Sequence, residues 1–302
     1  MAVHIVPTQF ASINDAIAAS APGDTIKILA GTFNESVTIP AGKDRLTIVG
    51  VWPRVTTITG TTGPVITVDS NLVTIQNLTV GDTPTFSGIM LTSDANVIRN
   101  VEVRNCRRGI EILSASQANF IVDCNIHNNN EAGIQVASVG NLIYNNKLIA
   151  NGGDGISITT PSAANVIINN FIKRSGADGI QSFSSTDIIL GNVLKRSAQN
   201  GMSLTGSESI VYNNRVKRST LDGINIVVGM QNRFISNTIK GSNNSGLALS
   251  SANIADQNTI KNNRVGIFTS FGSDNNAIRR NQLRNTTNIV NQGANNVFDE
   301  NN

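Results

Sequence analysis

The sequence predicts an all-β chain wound as a single-stranded parallel β-helix, and three observations carry the prediction. First, residues 146–249 repeat one phrase. Asn146 leads nine residues on to Gly155 in Asp154-Gly155-Ile156, and Asn170, Asn192, Asn214 and Asn237 lead at the same distance to Gly179, Gly201, Gly223 and Gly246. Second, the marker glycines run on as Gly88, Gly109, Gly133, Gly155, Gly179, Gly201, Gly223, Gly246 and Gly266, at steps of 21, 24, 22, 24, 22, 22, 23 and 20. A fixed period in the twenties is the signature of stacked repeats. Third, short alternating apolar runs bounded by Gly and Asn fill each period, as three strands per coil require. Coils of about 22 residues would stack about 4.8 Å apart, giving a rod roughly 45–60 Å long.

The elements follow in order. Phe10, Ile13, Ala16 and Ile17 form a helical stripe with Ser12 or Asn14 as its cap, and Pro22-Gly23 beyond its end. This helix is expected to cap the first coil within residues 1–24. Strands are expected at 25–29, 37–39, 46–50 and 57–59, within irregular first coils spanning 25–76. Regular coils are expected over 77–290 and a polar tail over 291–302, all in one domain, 1–302. Counting from each Asn gives the facing. Two residues on sit Leu148, Ile172, Leu194, Val216 and Ile239; ten on sit Ile156, Ile180, Met202, Ile224 and Leu247. Both series are expected to point inward. The Asn side chains are expected at a corner, bonding the coils on either side. The Gly is expected where φ is positive or another backbone comes close.

Composition narrows the function. Charged residues make up 14% and aromatics 4% of the 302 residues, while Ile, Val and Leu recur in phase, so the chain is ordered rather than disordered. A net charge of +3 is too small to point to nucleic acid. No apolar stretch reaches membrane-spanning length, so no membrane insertion is expected. No basic start followed by an apolar run is seen, so a cytoplasmic origin is expected, with assembly into a coat or surface layer. Cys106 and Cys124 fall on different sides of the repeat and are expected to be free thiols.

The repeated Asp-Gly-Ile and Asn-x-Ile phrases resemble the right-handed parallel β-helix, or pectin-lyase-like, superfamily of carbohydrate-binding proteins and sugar hydrolases. The opening is similar to the first turn of that superfamily, pectin methylesterases included. It carries Ser12-Ile13, Gly23-Asp24-Thr25-Ile26, Gly31-Thr32-Phe33-Asn34-Glu35 and Leu46-Thr47-Ile48-Val49-Gly50. The resemblance covers nearly the whole chain and implies a right-handed winding. It does not imply one activity, because this fold carries many sites. The Gln-Ala-Val-Ala-Leu phrase of the methylesterases, the Gly-His-Gly of polygalacturonases and the Asp-Pro-His of alginate epimerases are all missing.

Two columns of side chains are candidates for chemistry. The first is basic: Lys173, Lys195, Lys217, Lys240 and Lys261 lie three residues after the Asn, and Arg174, Arg196 and Arg218 one further on. With the preceding residue inward, each Lys points out, and the Arg stays outside if the strand ends there. Like charges at about 4.8 Å in water repel by roughly 0.9 kcal/mol, so the column is mildly unfavourable by itself. It suits a linear polyanion; the plainer reading is a solvated edge, with Arg174 and Arg218 paired to Asp178 and Asp222. The second column is acidic: Asp154, Asp178 and Asp222, which would serve glycoside hydrolysis or, on a lyase reading alone, Ca²⁺ binding. Each precedes a turn Gly, so the plainer reading is a turn cap. His4 and His127 read as isolated surface or turn residues. Trp52, Tyr144 and Tyr212 are too sparse for a sugar-stacking platform.

The leading expectation is a non-catalytic surface or structural protein that binds an extended glycan or other polyanion along the Lys/Arg ladder, with no cofactor or metal. A second copy is expected to meet the C-terminal end. The alternatives are a lyase or glycoside hydrolase acting on acidic polysaccharide, and a purely architectural rod of a coat, fibre or spike.

Overall fold

The computed structural model describes residues 1–60, 62–160 and 162–302. Two contiguous compact units, 1–152 and 153–302, are taken in turn.

The first unit begins with a strand the sequence reading missed. Val3–Val6 pairs in parallel with Thr25–Ile28. The helix between them is Ile13–Ala19, with the Ser12 hydroxyl accepting from the Asp15 N–H at 3.0 Å. Its start is held by Glu35, whose carboxylate accepts from the N–H groups of Ile13 and Asn14, where the helix dipole favours negative charge. Ile13, Ala16 and Ile17 are buried. A further strand beyond those expected, Gly31–Asn34, pairs with Thr56–Thr59. One side of the unit stacks Val37–Ile39, Ile66–Val68, Ile89–Leu91, Ile110–Ile112 and Ile134–Val136.

On the other side, Thr74–Thr83 and Val97–Cys106 are unbroken strands of ten residues each, bent at Asn77 and Asn100. The next coil breaks the same path into Phe120–Val122 and Asn125–His127. Counting the Asn of the phrase back to Asn77, Asn100 and Asn125 therefore misses the ladder by one residue: Asn77 and Asn100 fall one before it and Asn125 one after. Asn77 and Asn100 take the left-handed bend itself, with φ of 60° and 50°, and Leu78 and Val101 fill the ladder position after it; in the following coil it is Cys124 whose N–H donates to Asn146 Oδ1 at 2.9 Å.

The second unit is the regular one, and its period fixes its register. Ile156, Ile180, Met202, Ile224, Leu247, Ile267 and Ile289 align coil upon coil. So do Ile172, Leu194, Val216, Ile239, Ile260 and Leu283. Of both inward series named from sequence, every member is buried. Each such side chain contributes about 1.5–3 kcal/mol by leaving water. The corner amides form the expected ladder: the N–H of Asn170 donates to Asn192 Oδ1, that of Asn192 to Asn214, and that of Asn214 to Asn237, at 2.8–2.9 Å. The Nδ2 groups of Asn192 and Asn214 donate to the carbonyls of Ile167 and Ile189 in the preceding coil at 2.8 Å, so both ends of these amides are satisfied.

The marker glycines have negative φ; close approach is what requires them. A Cβ on Gly179 would lie 2.5 Å from the Gly201 carbonyl and 2.6 Å from Leu194 Cδ2. Residues 291–302 are not a loose tail. Val297–Asp299 pairs with Ala277–Arg279, and Asn296 and Asn301 extend the Asn ladders.

Candidate functional site: a cationic column on the second unit

The strands Phe171–Lys173, Val193–Lys195, Arg215–Lys217, Thr238–Lys240 and Thr259–Lys261 are in register. They place Lys173, Lys195, Lys217, Lys240 and Lys261 one above another, as expected. The column continues to Arg284, which the sequence reading missed. The signal was available: Asn281 starts one more copy of the phrase, and Arg284 is its third residue on. Arg215, two residues before Lys217 on the same outward face, adds a further cation.

Each strand ends at its Lys, and the next residue turns into the left-handed region. Arg174, Arg196 and Arg218 have φ of 58°, 60° and 60°. Their N–H groups donate to the carbonyls of Lys195, Lys217 and Lys240 in the following coil at 2.9–3.0 Å. Gly241 and Asn262 hold the same place in the next two coils, with φ of 73° and 57°. Gly and Asn are the residues that adopt this conformation easily; an Arg there costs about 1–2 kcal/mol. The three Arg residues therefore bear a backbone cost, and two of them, Arg196 and Arg218, line a groove together with the lysines.

Lys173, Lys195, Arg196, Lys217, Arg218, Lys240, Gly241 and Asn262 line a groove of about 440 Å³. The expected pairing of Arg174 with Asp178 and of Arg218 with Asp222 does not form. Among the described residues no cation of the column has a carboxylate within 4 Å. Lys195 instead holds its ammonium 5.0 Å from the centre of the Phe171 ring. Burial, and then the charges of Arg215, Lys195, Lys240 and Arg218, push the Lys217 ammonium below its ordinary pKa. Neighbouring cations destabilise its charge, and an anion in the groove would reverse that.

The acidic column is turned to the backbone. Asp154 Oδ1 accepts from the Asp178 N–H at 2.9 Å, Asp178 Oδ1 from Asn200 at 2.7 Å, and Asp222 Oδ1 from Ser245 at 2.7 Å. Asn200 does the same for Asp222 at 3.1 Å. Asn and Asp are interchangeable in this job, which explains the mixed column. Burial raises the carboxyl pKa of Asp154, Asp178 and Asp222 alike.

On the first unit, the reading of His4 and His127 as isolated is corrected. His4 Nε2 lies 3.0 Å from Asp24, and His127 Nε2 lies 3.0 Å from Glu102. Glu102 is buried and also accepts from Arg54 Nε and Nη2 and from the Thr79 hydroxyl. Burial alone would raise its pKa; the bonds from Arg54, His127 and Thr79 outweigh burial and hold it at about 2. Trp52, Pro53, Arg54, Asn100, Val101, Glu102, Asp123 and Asn125 border a groove of about 290 Å³. Sequence could not show this cluster, whose members lie up to 75 positions apart, from Trp52 to His127. Cys106 and Cys124 are free and buried, and burial pushes both thiols up to about 12. Among the described residues no group of three or more His, Cys, Asp or Glu is placed to hold a metal ion, and no helix is long and apolar enough to cross a membrane.

A coil of three parallel strands with this period defines a β-solenoid, and the chain belongs to the right-handed β-helix family. The family model described as "Right handed beta helix region" matches residues 62–174 and 154–302. Among solved structures it is similar to the A-module of the Azotobacter vinelandii mannuronan C-5 epimerase AlgE6. The TM-score there is 0.84 at 16% identity, over 96% of this chain and 94% of that one. It is similar to the Dettilon tailspike protein (TM-score 0.75, 14% identity, 98% of this chain and 68% of that chain). It is also similar to the catalytic unit of a Streptomyces thermodiastaticus α-1,3-glucanase (TM-score 0.73, 14% identity, 95% and 66%). At such identities the likeness establishes the fold alone. A search of curated protein sequences finds no match.

Proposed function

We propose that the protein binds an extended polyanion, an acidic polysaccharide above all, along the column formed by Lys173, Arg174, Lys195, Arg196, Lys217, Arg218, Lys240 and Lys261. The observation that carries this reading is that stacked cations line a groove with no carboxylate among them to neutralise them. A solvated edge does not need the groove. A linear anion whose charges repeat along its length would neutralise successive coils, and each charge placed there would relieve its neighbours.

The enzymatic alternative has less support, because Asp154, Asp178 and Asp222 each turn Oδ1 to a backbone N–H of the next coil. The similarity to an epimerase module does not restore it, since this chain has no Asp-Pro-His motif.

The test is retention of labelled polygalacturonate against neutral dextran. The intact protein should retain the first and not the second, with retention lost on adding salt. The variant carrying Lys195→Ser, Arg196→Ser, Lys217→Ser and Arg218→Ser should retain neither. Salt-insensitive retention, or retention unchanged in that variant, would overturn the reading. New reducing ends or new ultraviolet absorbance in the same mixture would put the lyase or hydrolase reading first. Retention of no polyanion at all would leave an architectural protein.

A further inference from the structure

We infer that the Trp52 groove on the first unit is a subsite for a single neutral hexopyranose ring, a binding site independent of the cationic column. Three features point to it.

Trp52 is 58% exposed and borders a concave site rather than a flat surface. An indole offers a broad apolar face with a polar edge, the shape that matches a sugar ring, whose C–H bonds form an apolar face and whose hydroxyls project around the rim. The rest of the groove supplies the rim. Asn125 brings an amide that both donates and accepts, Asn100 an amide whose Nδ2 also donates to Asn77 Oδ1, Asp123 a carboxylate with one oxygen accepting from Asn145, and Arg54 guanidinium donors.

Both the turn that carries Trp52 and the Arg54 side chain are held in place before any ligand arrives. The N–H groups of Val55 and Thr56 donate to the Trp52 carbonyl at 3.0 and 3.1 Å, closing the turn that carries the indole. Arg54, at a left-handed φ of 72°, has its N–H bound to Thr79 Oγ1 at 2.7 Å. Buried Glu102 clamps Arg54 through Nε and Nη2, yet the Arg54 side chain stays 71% exposed, so Nη1 remains available to a ligand. Side chains fixed in advance lose little freedom on binding.

Charge selects the ligand. Arg54 is compensated by Glu102, and Asp123 leaves the rim with no surplus of positive charge. An anionic sugar gains nothing there. A neutral ring with directional hydroxyls does, so this groove asks for the opposite of what the cationic column asks for.

Trp52 is the chain's one tryptophan, so its fluorescence reports this groove alone. The experiment titrates the full-length protein with methyl glucoside, methyl galactoside, methyl mannoside and glucuronate, at low and high salt. At least one neutral glycoside should give a saturable change with a Kd of about 1–10 mM. The change should be independent of salt, and glucuronate should bind several-fold more weakly. Asn125→Ala should weaken the response several-fold. Trp52→Ala, which removes an exposed ring and leaves the core untouched, should abolish binding as read by ligand-detected NMR. No saturable change with any neutral glycoside would overturn the inference, as would tighter, salt-sensitive binding of glucuronate. Neither failure touches the polyanion reading, which is measured by polygalacturonate retention.

Discussion

Lys217 stacks directly on Lys195, in register and one coil away, and neither has a carboxylate within ion-pairing distance among the described residues. In most solenoid columns like residues stack because they attract: here Ile upon Ile inside and Asn upon Asn at the corner. These two repel. Burial and its cationic neighbours push the Lys217 ammonium below its ordinary pKa, so the folded state bears a cost at every pH where both lysines are charged. A bound polyanion removes that cost.

Arg196 and Arg218 sit at φ of 60°, where the next coil has Gly241. Replacing both by Gly should raise stability by about 0.5–1 kcal/mol each, after allowing for the extra freedom glycine has when unfolded. The same change should weaken polygalacturonate retention. Urea denaturation and retention measured together check this. A loss of stability would show that the Arg side chains hold the coil together rather than serve a ligand.

Asp178 gives a pH signature. Burial, opposed by the Asn200 N–H bond and reinforced by the charge of Asp154, pushes its carboxyl up to about 6. The folded chain then holds a proton that the unfolded chain releases, so Asp178 lowers stability as pH rises from about 4 to about 6. Asn200 shows that an amide fits this column. Asp178→Asn should therefore flatten the stability profile across that window and leave polyanion binding intact. Parallel profiles for the two proteins would contradict the assignment.

Glu102 should behave in the opposite sense. Its carboxyl is held at about 2, so its contribution is fully present above about pH 4.5 and is lost as pH falls through about 2. Glu102→Gln should cost about 1.5–3 kcal/mol at neutral pH, the usual range for hydrogen bonds to a buried charge. The difference from the parent protein should shrink in strong acid. Denaturation midpoints at neutral and acid pH decide it, and an equal loss at both would mean that shape rather than charge is at stake.

What the sequence made legible follows from the period. In the second unit, each coil repeats the same spacing from Asn192 to Lys195 to Gly201, so inward and outward residues could be counted and the Lys column placed correctly. In the first unit, the Asn residues at 77 and 100 stand at the bend and Leu78 and Val101 fill the ladder position, so the count slips by one. The Trp52 cluster lies in that stretch. Thr79, Glu102 and Asn125 become neighbours only through a strand register that no spacing announced. Ion pairing was the other blind spot. Arg174 and Asp178 are four apart in sequence, but the strand end turns the Arg outward while the Asp bonds the next coil.

The central claim is tested most directly by the salt dependence of polygalacturonate affinity, measured for the intact protein and for the variant with Lys195, Arg196, Lys217 and Arg218 all changed to Ser. The affinity of the intact protein should fall linearly on a log–log plot, and the variant's slope should be shallower by about 3, as expected when four charge contacts are removed. Equal slopes for the two proteins would mean that the polyanion binds elsewhere, and the cationic column would then be a solvated edge.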